Sequence, residues 1–295
     1  MKEIVFKGMA TALVTPMTST GVDYETFGRF IDFQLENGIN ALVAVGTTGE
    51  SATLSPQERK DVIRFTIDRV NGRVPVIAGV GTNNTEHVLD FAKDACASGA
   101  DALLAVTPYY NKATQGGLFK HFSMVADVAT KPLIMYNVPS RTGSNLQPDT
   151  VAKLAEHPNI CGLKEASGNM SQVVEIASKC ADKLAIYSGE DALTIPMMSV
   201  GGLGCISVLS NVAPKQALEM TDKFFAGDVA GAGKMQCQML PLIDALFSEV
   251  NPIPAKAAVA EMGFGEEYLR MPLTPMEPAT RANLFAQMKK LGILK

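Results

Sequence analysis

Short apolar runs alternate along this chain with longer segments in which apolar residues recur at helical spacing. The first run begins at Gly8 and the last ends at Leu209, and Phe27, Phe30 and Ile31 form the apolar stripe of the first helical segment. Each run and its segment together take about thirty residues, which is the length of a β–α unit in a parallel sheet. Eight such units in about 225 residues predict an α/β protein with a closed (β/α)8 TIM barrel.

An open, doubly wound sheet is the alternative fold, and it would normally carry a Gly-x-Gly-x-x-Gly fingerprint after an early strand. The stretch from Gly79 to Asn84 lacks the third glycine. The glycine-rich stretch from Gly201 to Gly204 precedes an apolar run and does not open a helix, so it indicates a tight turn. The sequence therefore favours the barrel.

The pattern changes after Gly227, where three helical segments follow one another without an intervening strand. These segments span 230–247, 254–262 and 279–291. We predict a catalytic barrel at 1–226 and a C-terminal helical domain at 227–295. The second part is too small to bury its own apolar faces well, so we expect it to pack on the barrel or on another subunit.

Composition and charge exclude several classes of protein. The chain has 295 residues, 47% of them hydrophobic, and its net charge of -4 gives no basic surface for nucleic acid. Its five cysteines lack Cys-x-x-Cys spacing and its three histidines are scattered, so we expect no disulfide framework and no metal site. No apolar run reaches the ~18 residues of a membrane span, and the N-terminus lacks the apolar core of a signal peptide. We expect a cytoplasmic protein.

One apolar run leads directly into a lysine, Lys164. Strand alternation places Ile160, Gly162 and Lys164 on one face and Glu165 on the other, so Glu165 is not the expected partner of the amine. Gly162 is expected to leave space beside the amine. Lysine is rarely buried unless it is paired or used, and a desolvated amine can attack a carbonyl to form a Schiff base. The alternative is a lysine that has left the strand and is solvated.

Other polar residues fall where predicted strands end, and barrel active sites lie at those ends. They are Thr47 and Thr48 after the second predicted strand (41–45), Tyr109 and Tyr110 at the end of the fourth (101–110), and Tyr136 in the fifth (132–139). We expect these groups to meet Lys164 at one mouth of the barrel. Arg141, in a rigid loop after the fifth strand, can bind a substrate carboxylate in a bidentate fork.

Each of these residues also has a structural alternative. Tyr136 can be a core aromatic with a satisfied hydroxyl, and Arg141 can form a surface salt bridge. Thr47 and Thr48 can belong to a turn chosen for its flanking glycines, while Tyr110 can be an interface aromatic.

Five motifs, in order and spacing, resemble the dihydrodipicolinate synthase family of the pyruvate-dependent class I aldolase superfamily over nearly the whole chain. The motifs are Gly46–Ser51, Thr107–Asn111, Tyr136–Gly143, Leu163–Asn169 and Asn251–Pro254. The resemblance implies a lyase that condenses pyruvate with L-aspartate 4-semialdehyde to give 4-hydroxy-tetrahydrodipicolinate, in the diaminopimelate route to L-lysine.

The resemblance also implies the catalytic roles. Lys164 forms an imine with the C2 carbonyl of pyruvate, and Tyr136 protonates and deprotonates the adduct. A relay connects Tyr136 through Thr47 to Tyr110, which is donated across a dimer interface. The family is commonly a homotetramer, a dimer of dimers.

Three further residues are implied to bind substrate. Thr48 holds the pyruvate carboxylate, Ile206 lies against the adduct, and Arg141 binds the carboxylate of the second substrate. The covalent imine implies that no metal and no organic cofactor is required.

Two alternative functions remain at this point. N-acetylneuraminate lyase and the 2-keto-3-deoxy sugar-acid aldolases share the lysine and the tyrosine, but Arg141 suits a short carboxylated aldehyde better than a sugar chain. A non-catalytic pyruvate-binding barrel is the alternative of another class. It predicts that at least one of Lys164, Tyr136 and Thr47 is replaced, and all three are present.

Regulation is the point at which the sequence departs from part of the family. Relatives inhibited by L-lysine carry histidines near the first pair of the positions concerned and an acid near the last. This chain has Pro56, Arg59, Asn83 and His87 in these stretches. We therefore predict weak or absent inhibition by L-lysine.

Overall fold

The computed structural model describes residues 2–295, which form a closed barrel of eight parallel strands with an outer layer of helices. The strands are β1 (Gly8–Ala12), β2 (Met17–Thr18), β3 (Gly21–Val22), β4 (Ala41–Ala44), β5 (Val76–Gly79), β6 (Ala102–Val106), β7 (Leu133–Asn137), β8 (Ile160–Glu165), β9 (Ala185–Ser188) and β10 (Gly204–Ser207). The barrel runs from β4 to β10 in sequence order and closes through β1, which pairs with both β4 and β10. The predicted (β/α)8 barrel is confirmed.

Helices follow the barrel strands, and three more close the chain. They are α1 (Tyr24–Glu36), α2 (Pro56–Val70), α3 (Thr85–Ala97), α4 (Gln115–Val128), α5 (Pro139–Thr142), α6 (Pro148–Leu154), α7 (Met170–Cys180), α8 (Thr194–Met198), α9 (Pro214–Phe225), α10 (Val229–Leu246), α11 (Ile253–Glu261) and α12 (Pro278–Lys290). The last three begin and end one residue earlier than predicted.

The first apolar run extends from Gly8 to Pro16 and predicts a strand of that length, but the strand is shorter. Strand β1 ends at Ala12, and the chain then forms the small antiparallel hairpin of β2 and β3. Strands of two residues are too short to show an alternating pattern, so the hairpin leaves no signal of this kind in the sequence.

Side-chain caps fix where several helices begin. Ser55 and Glu58 form a capping box at the start of α2, with Pro56 as its first residue, as the sequence indicates. Thr85 is a residue type that can cap the following helix, but the cap of α3 is Asn84. The Asn84 side chain accepts a hydrogen bond from the backbone N–H of Glu86 at 3.0 Å.

Successive strand residues separate into two apolar clusters. Met9 and Leu42 pack outward against the helices, whereas Ala10 and Val43, the next residues of the same strands, fill the barrel interior. The interior cluster contains many alanines, so inward-pointing side chains from opposite strands fit within a narrow barrel.

A register shift in β8 changes which side chains face the interior. Leu133 pairs with Ile160, but the next residue of β7, Ile134, pairs with Gly162. The extra residue turns Ile160 outward into the helix-facing cluster, while Cys161 joins the interior. The prediction that Ile160 shares a face with Lys164 is therefore wrong. From Gly162 onward the predicted alternation holds.

The C-terminal helices are tied to the loop that follows β4. Lys256 in α11 forms a buried ion pair with Glu50 and donates a second hydrogen bond to the carbonyl oxygen of Tyr268 at 2.8 Å. Arg270 forms a bidentate ion pair with Glu58 at the start of α2, with an Nη1–Oε2 distance of 2.8 Å.

The domain boundary between residues 226 and 227 stays a prediction. Within residues 2–295 no helix is long and apolar enough to cross a bilayer.

Replacing Lys256 with Met is expected to lower the free energy of unfolding by about 3–5 kcal/mol, because it leaves the buried Glu50 carboxylate without its cation. Urea unfolding followed by circular dichroism measures the change. Adding Glu50→Gln is expected to restore part of the loss, because no buried charge is then unpaired. A loss below about 1 kcal/mol in the single variant, the size typical of an exposed pair, would contradict the prediction.

Candidate active site

The amine of Lys164 lies inside the mouth of the barrel. Lys164 is only 6% exposed, so the alternative of a solvated lysine is wrong. Tyr136 on β7 lies opposite Lys164 on β8 in the strand register, and the lysine Nζ is 4.3 Å from the centroid of the tyrosine ring. The aromatic face therefore covers the amine from the neighbouring strand.

A glycine from the following strand, and not Gly162, makes room for the lysine. A Cβ atom at Gly162 would lie 3.4 Å from the Tyr187 ring, so the space predicted beside the amine is filled. A Cβ atom at Gly189, just after β9, would lie 3.0 Å from Cε of Lys164 and 2.7 Å from Cβ of Ala166. The aliphatic part of Lys164 thus packs directly on the backbone of Gly189.

A cavity of about 340 Å³ opens beside this amine and brings together five of the seven predicted site residues. They are Thr47, Thr48, Tyr136, Arg141 and Lys164. A second cavity of about 310 Å³ shares Thr47 and Arg141 with the first and is also lined by Tyr109. Apart from Tyr110, the polar residues predicted at the strand ends thus line two cavities that share wall residues.

Tyr110 and Ile206 lie elsewhere in this chain. Tyr110 is 90% exposed and has a φ of +72°, a left-handed conformation that a tyrosine rarely adopts. Ile206 is fully buried in the barrel interior opposite Ala10, and it is not part of the wall of either cavity. In a single chain, therefore, neither side chain lines the site.

Asn251 connects the two groups that are expected to bind carboxylates. Its side-chain amide donates to the hydroxyl of Thr48 at 3.0 Å, and its backbone carbonyl accepts from Nη2 of Arg141 at 3.2 Å. The side-chain oxygen of Asn251 is buried and has no partner among residues 2–295. Arg141 lies in α5, a short helix, where we had expected a loop. Asn251 belongs to one of the five sequence motifs, but the motif does not reveal that Asn251 links Thr48 to Arg141.

The residues after β9 contribute carboxylates that we did not predict as part of the site. Asp191 lines the cavity and is buried, and it accepts hydrogen bonds from the Ser207 hydroxyl and from the backbone N–H groups of Val208 and Leu209 at 2.5, 2.9 and 3.0 Å. Burial raises the pKa of Asp191, while these donors oppose the shift. The carboxylate thereby fixes the end of β9 to the loop after β10.

Glu165 takes the opposite direction from Lys164, as the alternation predicts. It is buried and accepts from the backbone N–H of Ser167 at 2.7 Å and the side chain of Asn137 at 3.0 Å. Burial raises the pKa of the Glu165 carboxyl, and the hydrogen bonds lower it. Glu165 is therefore bound in a separate polar network and is not the partner of the amine.

A sequence model described as the Dihydrodipicolinate synthetase family matches residues 5–291. The chain belongs to this family. A 4-hydroxy-tetrahydrodipicolinate synthase of Lachnoclostridium phytofermentans is 50% identical over 98% of this chain and 99% of the relative. One of Geobacter sulfurreducens is 46% identical over 98% of this chain and 100% of the relative. The crystal structure of dihydrodipicolinate synthase from Thermotoga maritima superposes with a TM-score of 0.97 at 42% identity, covering 99% of this chain and 100% of that one.

Replacing Gly189 with Ala is expected to slow imine formation with pyruvate about 100-fold, because a displacement of the amine by about 1 Å is enough for such a loss. The rate at which borohydride traps the pyruvate adduct measures the effect. Gly233→Ala in α10 is the control, since a Cβ atom there meets nothing within 4 Å. An unchanged trapping rate for Gly189→Ala would contradict the role given to this glycine.

Proposed function

We propose that this member of the dihydrodipicolinate synthetase family condenses pyruvate with L-aspartate 4-semialdehyde to form 4-hydroxy-tetrahydrodipicolinate through a Schiff base on Lys164. The observation that carries this proposal is a buried amine that faces a tyrosine in a cavity that also contains an arginine. Relatives of nearly the same length carry the name of this activity.

The first half-reaction uses the groups nearest the amine. The Lys164 nitrogen attacks the C2 carbonyl of pyruvate, water leaves, and the iminium withdraws electrons so that the methyl group loses a proton to give an enamine. Tyr136 transfers the protons of these steps. The Thr48 hydroxyl accepts its hydrogen bond from Asn251, so its own proton is free to be donated to the pyruvate carboxylate.

The second half-reaction uses the arginine. The enamine attacks the aldehyde carbon of L-aspartate 4-semialdehyde, whose carboxylate binds to Arg141. The contact between Arg141 and the Asn251 carbonyl helps to fix the direction of the guanidinium group. The amine of the substrate then attacks the imine carbon, forms the ring, and releases Lys164 as a free amine. No metal or organic cofactor enters these steps.

We further propose that Tyr110 acts across a dimer interface within a homotetramer. A fully exposed aromatic ring on a left-handed backbone is unfavourable in an isolated chain, and a partner subunit would cover it. Thr47 would then pass protons between Tyr136 and the partner's tyrosine. Ile206 would contribute to the interior wall against which the adduct lies. Cytoplasmic localisation fits a reaction whose substrates are central metabolites.

The sister aldolases are the second candidate function, because they use the same lysine and tyrosine. Arg141 favours the synthase, since its guanidinium reaches the cavity wall and fits the carboxylate of a short aldehyde. The deciding experiment supplies purified protein either with pyruvate and L-aspartate 4-semialdehyde or with N-acetylneuraminate alone. The synthase consumes pyruvate in the first assay and releases none in the second, whereas release of pyruvate from the sugar would identify a lyase.

Replacing Lys164 and replacing Tyr136 are expected to affect the reaction in different ways. Lys164→Ala removes the covalent route and should abolish both turnover and borohydride trapping. Tyr136→Phe removes only proton transfer, so turnover should fall roughly 10²–10⁴-fold while trapping at Lys164 still occurs. Peptide mass mapping locates the trapped adduct. Turnover of Lys164→Ala near the parental rate would contradict the mechanism.

Inhibition by L-lysine is expected to be weak. Arg59 is buried against the ring of Phe91, 4.1 Å from its centroid, and donates to the carbonyl oxygens of Gly79 and Gly81 at 3.2 and 3.3 Å. Burial lowers its pKa to about 10, so the guanidinium still carries a charge at neutral pH and repels a second cation. Initial rates at millimolar L-lysine should stay within about twofold of the uninhibited rate. Strong inhibition in the same titration would contradict this prediction.

A further inference from the structure

Glu190 is a carboxylate in the wall of the cavity that contains Lys164 and Arg141. The residue before it, Gly189, packs against Cε of the lysine. The Glu190 carboxylate oxygens lie over the turn that follows β8, 3.6 and 3.7 Å from where a Cβ atom of Gly168 would be placed. This carboxylate therefore lies close to the turn after β8, and it lines the same cavity as Lys164.

The negative charge of Glu190 has no partner in the part of the chain that the structure describes. No N–H or O–H group donates to its side chain and no cation pairs with it, as far as residues 2–295 are concerned. Glu190 is half-buried, and its pKa is raised first by desolvation and then by the nearby Glu165 charge. A partly desolvated carboxylate in this position is stabilised by a cation that enters the cavity.

The other two carboxylates of the cavity wall are less suited to bind a cation. Asp191 already accepts four hydrogen bonds from its own chain, the fourth from the Cys205 thiol at 3.7 Å. Asp244 on α10 is exposed, so water screens its charge. Glu190 is thus the one acid of this cavity wall, among the described residues, that is both partly desolvated and unpaired.

We infer that Glu190 binds the ammonium group of the second substrate and selects an α-amino acid aldehyde over aldehydes that lack the amine. This inference rests on the proposed function. Arg141 recognises the carboxylate of L-aspartate 4-semialdehyde, and Glu190 recognises the amine on the adjoining carbon. The sugar acids used by the sister aldolases carry hydroxyl groups in place of this cation, so an unpaired acid also favours the synthase.

The test compares two aldehydes that differ only in the amine. Succinate semialdehyde has the same four-carbon chain and carboxylate as L-aspartate 4-semialdehyde but lacks the ammonium group. Glu190→Gln is expected to raise KM for L-aspartate 4-semialdehyde about 10- to 100-fold, the loss typical of a hydrogen bond to a charged group. The Ki of succinate semialdehyde as a competitive inhibitor should change less than about twofold, because Glu190 has no ammonium to bind in that ligand.

Asp244→Asn supplies the matched comparison, because it removes one negative charge from the same cavity wall. If Glu190 binds the ammonium directly, the ratio of KM to Ki rises at least about fivefold more in Glu190→Gln than in Asp244→Asn. Equal changes in the two variants, or a parallel change in KM and Ki for Glu190→Gln, would overturn the inference. Normal borohydride trapping with pyruvate shows that each variant is folded. A parental protein that does not condense L-aspartate 4-semialdehyde would contradict the proposed function and would be detected before any variant is compared.

Discussion

The site depends on keeping one lysine side chain inside a narrow barrel. The aliphatic part of Lys164 packs on the Gly189 backbone, and the Tyr136 ring covers its nitrogen from the adjacent strand. Among residues 2–295 no carboxylate forms an ion pair with this nitrogen. The barrel strands and the glycine after β9 are therefore as much a part of the chemistry as the nitrogen itself.

The C-terminal helices contact the mouth of the barrel. Asn251 binds Thr48 and Arg141, and Lys256 neutralises Glu50, which lies two residues after Thr48. The loop after β4 is thus held from the C-terminal side by the Asn251–Thr48 hydrogen bond and the buried ion pair. Arg270 adds two hydrogen bonds, from its backbone N–H to Glu50 at 3.2 Å and from Nη1 to the carbonyl oxygen of Thr53 at 2.9 Å. Because this loop carries Thr47 and Thr48, the geometry of the expected carboxylate site depends on residues some two hundred positions later in the sequence. A barrel without the C-terminal helices would lack these contacts to the loop that carries Thr47 and Thr48.

The spacing of apolar residues predicts the strands and helices, but it does not predict contacts between residues that are far apart in the sequence. The barrel, its strand ends and the inward direction of Lys164 follow from the alternation of side chains. The register shift at Ile160 did not, because a bulge adds one residue without changing residue type. The role of Gly189 was not predicted, since the sequence does not reveal which strand approaches the lysine. Tyr110 is 90% exposed and lines neither cavity, so the role predicted for it does not follow from the arrangement of this chain.

Two neighbouring acids after β9 have different roles: one supports the fold of the loop and the other faces the cavity. Asp191 is buried and satisfied by the hydroxyl of Ser207 and two backbone N–H groups, so its charge is used to hold β9 to the loop after β10. Glu190 is fixed by the same backbone, but its carboxylate is left unpaired toward the cavity. A flexible loop would let Glu190 turn to water and lose any preference for a cation. Asp191, whose hydrogen bonds hold the loop, therefore preorganises Glu190. The two carboxylates can differ in role although they are adjacent in sequence.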